Sequence, residues 1–130
     1  SFPTRRSSDL NVTLTGGIAL QTKESWCNFI HKSKNEIFFG ANNSELYFEE
    51  DNFDNFILNL NQIPGICYVH PVVEHTWGQR VVRFYDPDMH IIEVGENLNK
   101  VVKRFLSKGM SAENVATRMD VPVDYVKSCL

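Results

Sequence analysis

The chain has 130 residues, the size of one domain with a modest core. Its hydrophobic content of 42%, nine Phe and two Trp exclude intrinsic disorder, and no apolar run is long enough to span a bilayer. A net charge of −3 gives no global field to gather nucleic acid, so a small molecule or a protein is the expected partner.

The first ten residues, "SFPTRRSSDL", hold two adjacent Arg, three Ser and a Pro with no period of either kind. They read as a disordered or foreign tail, similar to translated adapter sequence, and are expected to contribute neither a strand nor a site residue. In "NVTLTGGIALQ", Val12 and Leu14 alternate with polar residues, Gly16 and Gly17 form a turn, and Ile18 to Gln21 return: a hairpin. A short helix follows in "TKESWCNFIHKSK", with Thr22 as cap and Trp26, Phe29 and Ile30 on one stripe.

"IFFG" and "SELYFEE" read as extended segments separated by Asn42 and Asn43. Phe53, Phe56, Ile57 and Leu60 then recur at helical spacing, with Asp51 a candidate cap and Pro64-Gly65 the stop. "GICYVHPVVEH" is a further strand in which Pro71 implies an edge or a bulge. In "WGQRVVRFYDPDMHIIEVGE", two runs of β-branched and aromatic residues flank "DPDM", whose Asp and Pro suit a type I turn: a second hairpin. From Ser44 to Gly95 the order is therefore βαβββ. Beyond it, Leu98, Val101, Val102 and Phe105 form an apolar helical stripe too hydrophobic to face water, expected to pack on the sheet or a partner chain. Ser111 and Pro122 open two more helices. This pair mimics a helix-turn-helix, yet its second helix carries one Lys and no Arg, so packing is expected and not DNA reading.

Cys27, Cys67 and Cys129 are odd in number and lie outside any metal-ligand spacing, which predicts free thiols in a reducing cytoplasm. Glu93 is the residue the hairpin pattern does not explain. A carboxylate inside an apolar strand must face water, pair, or bind something.

A βαβββ unit ending in this hairpin resembles the vicinal oxygen chelate superfamily, which includes glyoxalase I, bleomycin-resistance proteins and extradiol dioxygenases. The resemblance runs from about Asn11 to Gly95. It implies an α+β fold in which two βαβββ modules build a curved sheet around a cleft. The expected organisation is a foreign or disordered tail (1–10), a glyoxalase/bleomycin-resistance-like domain with an incomplete first module (11–95) and a C-terminal helical extension (96–130). By the same resemblance the front of module one is missing, and the edge so exposed implies a homodimer or strand-exchanged oligomer.

For the site, the resemblance implies that Glu93 matches the acidic ligand of the final strand and that Glu45 stands where a metal-binding His is often found. Either is a candidate metal ligand and proton carrier for Zn²⁺, Ni²⁺, Mn²⁺ or Fe²⁺. The bland reading of Glu45 is a solvent-facing strand residue. Tyr47, Trp77, Arg83 and Tyr85 are candidate ligand-binding residues, with loop packing the plain alternative for Trp77. His70, His75 and His90 qualify only by residue type. Met89 stands where the family usually has Gly, and is expected to need a positive φ. The leading expectation is a small-molecule-binding protein of the glyoxalase/bleomycin-resistance kind. Its rivals are a glyoxalase-type lyase and a regulatory module acting through the C-terminal helices.

Overall fold

The computed structural model describes residues 18–130 and the backbone of 4–8 and 11–14. The chain divides into two compact units, Ser1–Phe39 and Gly40–Leu130.

In the first unit, β1 (Thr4–Ser8), β2 (Asn11–Leu14) and β3 (Ala19–Gln21) form an antiparallel sheet in that order. The expected hairpin is present, with Asn11 opposite Gln21, while its Gly16-Gly17 turn lies outside the described residues. The strand β1 corrects the expectation that the first ten residues contribute none: Thr4 pairs with Leu14 and Arg6 with Val12. Backbone pairing to a neighbouring strand needs no hydrophobic period, which is why the sequence pattern gave no warning. Helix α1 (Lys23–Ile30) starts where Thr22 accepts a hydrogen bond from the Ser25 amide at 3.2 Å. The segment "IFFG" is not a strand. The chain enters the left-handed region at Gly40 (φ 74°) and Asn42 (φ 56°), which breaks any extended run.

In the second unit, β4 (Glu45–Glu50), α2 (Phe53–Asn61), β5 (Cys67–Glu74), β6 (Arg80–Tyr85) and β7 (Ile91–Glu96) follow the expected βαβββ order. The sheet order is β4-β7-β6-β5, with β4 parallel to β7 and the other pairs antiparallel. Period-two alternation then sorts the side chains. Val82 and Val94 face α2 and pack with Phe53 and Leu60, joined by Phe84 and Ile92 at the margin. Strand β5 is an edge, and its register to β6 shifts on both sides of His70, as Pro71 implies. The β6–β7 hairpin closes as expected: Asp86 Oδ1 accepts from the amides of Asp88 (2.9 Å) and His90 (2.8 Å), and Met89 takes φ 66°.

Three helices complete this unit: α3 (Leu98–Ser107), α4 (Ala112–Met119) and α5 (Val123–Ser128). The stripe Val101, Val102 and Phe105 is buried, but mainly against Val115, Ala116, Met119 and Val126 of its sister helices and not on the sheet. Phe105 reaches the β5–β6 loop, where a Cβ on Gly78 would stand 2.1 Å from its ring, and Arg104 donates to the Gly78 carbonyl. Glu96, at the end of β7, is buried and accepts hydrogen bonds from Arg80 of β6 and Arg104 of α3. The helices therefore have an apolar core of their own and reach the sheet through Phe105, the Glu96 clamp and the Arg118–Glu74 ion pair. Among the described residues no helix is long and apolar enough to cross a membrane.

Candidate functional site

The face of the second unit's sheet opposite α2 carries the polar residues. Register places Tyr47 beside Glu93, Glu93 beside Arg83, and Arg83 beside His70, so one row of four side chains crosses all four strands. Glu45 lies two residues before Tyr47, on the same face.

Arg83 is the centre of the row. Its Nε donates to Glu45 Oε2 at 2.9 Å, one terminal nitrogen donates to Glu93 Oε2, and the other lies 3.2 Å from His70 Nε2. The His70 ring is turned so that Nδ1 lies 2.7 Å from the Pro71 carbonyl oxygen. A carbonyl can only accept, so Nδ1 carries the proton and Nε2 points its lone pair at the guanidinium. The extra residue of the β5 bulge makes this possible by re-aiming the strand at His70.

The two carboxyl groups titrate in opposite directions. Glu93 is only 6% exposed; burial, and then its hydrogen bond with Glu45, push its pKa above the ordinary carboxylate range against the pull of Arg83. Glu45 is held below that range, chiefly by the Arg83 hydrogen bond and then by Glu93. A pair of carboxyls so separated can hold a proton on one member and offer a charge on the other.

Tyr47 is fixed by a second network. Its hydroxyl accepts from Gln79 Nε2 at 3.0 Å and donates to Glu49 Oε1 at 3.2 Å, and burial raises its pKa. Gln79 is itself buried, donates to the Glu96 carbonyl at 2.9 Å, and accepts from Trp77 Nε1 at 3.2 Å. Trp77 stacks on His75 with centroids 4.2 Å apart, so it both packs the loop and reaches the row through Gln79. Gly95 lies beneath: a Cβ there would come within 2.9 Å of Gln79 Nε2 and 3.1 Å of the Tyr47 ring. Tyr85 lies apart from this network and donates to Asn42 Oδ1 at 2.7 Å. His90 sits at the turn, with Nδ1 3.0 Å from Asp86 Oδ2, away from the row.

The structure thus brings together Glu45, Arg83 and Glu93, adds His70, and sets Tyr47 next in the row. Gln79 was missed from sequence. A lone Gln before a strand has no motif, and only its burial reveals it.

The glyoxalase-like domain family matches residues 6–99, well over half of the chain. The chain belongs to the glyoxalase-like family. Its place in the vicinal oxygen chelate superfamily, and its α+β fold, follow as the sequence implied. A protein of unknown function from Agrobacterium tumefaciens is 31% identical, with a TM-score of 0.61 over 74% of this chain and 75% of that one. A glyoxalase/bleomycin resistance protein/dioxygenase family enzyme from Burkholderia phytofirmans is 16% identical (TM-score 0.60; 73% and 79% covered) and supports the fold alone. So does a glyoxalase-related enzyme from Fulvimarina pelagi, 12% identical (TM-score 0.56; 75% and 71% covered). No curated protein matches the chain significantly.

Metals are common in this superfamily, so the row can be tested as a metal site. Glu45 and Glu93, the ligands implied by the resemblance, hold a guanidinium between them. Among the described residues no group of three or more His, Cys, Asp or Glu is arranged to hold a metal ion. As it stands, this donor set does not fit a divalent cation, because a permanent cation already satisfies it.

Proposed function

We propose that this glyoxalase-like chain is a cytoplasmic small-molecule-binding protein, and that its ligand lies on the open face of the β4-β7-β6-β5 sheet. The observation that supports this is the charged row itself. Burying Glu93 beside Glu45 costs free energy that an apolar pair would avoid, and a sheet that needed only stability would do better without it. Arg83 retains N–H groups beyond those it gives to Glu45, Glu93 and His70, so it can orient an oxygen-bearing ligand. Tyr47, Tyr85 and Trp77 offer aromatic walls, and Glu45 and Glu93 offer acceptors of differing basicity.

A panel of small carboxylates, carbonyl compounds and aromatic drugs, screened by thermal shift and followed by amide chemical shifts, tests the reading. At least one class should raise the melting temperature and move the amides of Tyr47, Arg83 and Glu93. Stabilising compounds that leave all three amides in place would sink it.

One observation favours a lyase as the second reading. The opposed titration of Glu93 and Glu45 suits an acid and a base acting on one substrate, with Glu93 delivering the proton and Glu45 accepting one. A homodimer belongs to the same proposal, and sedimentation of the whole chain would reveal it.

A further inference from the structure

The arrangement of His70 goes beyond what ligand binding needs. A metal-bound His donates one ring nitrogen to a carbonyl or carboxylate and turns the other lone pair to the ion. His70 has this posture, with Nδ1 against the Pro71 carbonyl at 2.7 Å and Nε2 toward a positive centre. The centre it faces is Arg83, which also takes up Glu45 and Glu93. Three side chains of metal-binding type therefore converge on the three nitrogens of one guanidinium.

We propose that Arg83 is the resident cation of this site: it takes up Glu45, His70 and Glu93 together and keeps a divalent ion from them. Arg83 cannot escape by losing its proton, because a guanidinium keeps its charge in proteins. An entering ion would have to displace the guanidinium and then remain beside it, like charge against like. Glu45 and Glu93 would lose one partner to gain another. A shorter, neutral residue at position 83 releases these three side chains from the guanidinium. Carboxylate and imidazole are donor types that Zn²⁺, Ni²⁺ or Mn²⁺ would accept once the guanidinium no longer competes for them. This inference concerns the same side chains as the ligand-binding reading but stands without it, since metal binding is measured with no organic ligand present.

The experiment is calorimetric titration of Ni²⁺ and Zn²⁺ into the whole chain, its Arg83→Ala and Arg83→Met variants, and each of these three with Glu93→Gln added. The wild type should show no binding that Glu93→Gln alters. Arg83→Ala, or Arg83→Met should the alanine variant fail to fold, should gain a site binding about tenfold or more tighter than any wild-type background, and Glu93→Gln should abolish the gain. A wild-type isotherm sensitive to Glu93→Gln overturns the proposal whatever the variants do, as does a folded Arg83 variant that binds no better than wild type. Loss of ligand binding with the metal results intact would count against the proposed function and leave this inference standing.

Discussion

Met89 carries a visible conformational cost. It holds φ 66° in the β6–β7 turn, in the left-handed region that disfavours any residue with a Cβ. Met89→Gly removes that strain at the cost of a looser unfolded chain. It should raise stability by about 0.5–1 kcal/mol in chemical denaturation, with an unchanged m-value. The deficit was legible through the family resemblance, because Met89 stands where the family usually has Gly. Arg83 was legible as a candidate ligand-binding residue, but not as the centre of a charged row. Its partners come from β4, β5 and β7, and their meeting depends on cross-strand register, which local patterns leave open. His70 was harder still, since the bulge at Pro71 sets which way it faces.

Elements were read more successfully than contacts. The strands and helices of the second unit follow from alternation, helical spacing and caps, each a short-range signal. The missed elements are instructive. Strand β1 has no apolar period, and "IFFG" has strand composition but a backbone that turns. The C-terminal stripe was identified, yet its partners were not, because apolarity specifies burial and says nothing of what covers it. Gly78 is the contact that fixes those helices to the β5–β6 loop. Its φ of 88° and the ring of Phe105 leave no room for a methyl group. Gly78→Ala should destabilise the chain by roughly 2–3 kcal/mol, through backbone strain and overpacking together. A thermal melt coinciding with that of wild type would show that Phe105 is not seated there.

At the scale of the second unit, two buried carboxylates give opposite pH signatures. Burial works to raise the Glu96 pKa, but hydrogen bonds from Arg80 and Arg104 outweigh it and hold it below the ordinary range. Its stabilisation is therefore present above the ordinary carboxylate pKa and lost as pH falls through the lowered value. Glu93 has a raised pKa, so its contribution is fully present below the ordinary value and is lost as pH rises through the raised one. Melting temperatures of Glu96→Gln and Glu93→Gln, each subtracted from wild type across a pH series, should diverge. Wild type gains on Glu96→Gln as pH rises through the carboxylate range, and loses ground to Glu93→Gln over the adjoining higher interval. Parallel curves would mean that the two environments do not differ as described.

The Glu96 clamp has a further consequence for cooperativity. The sheet and the C-terminal helices possess separate apolar cores, and ion pairs join them, with Glu96 holding Arg104 and Glu74 holding Arg118. Hydrophobic cores endure acid, whereas a carboxylate clamp does not. As pH falls and Glu96 takes up its proton, one of these links is lost, and amide exchange in α3, α4 and α5 should separate from exchange in β6 and β7, so that a second unit whose sheet and helices open together at neutral pH opens in acid as two parts.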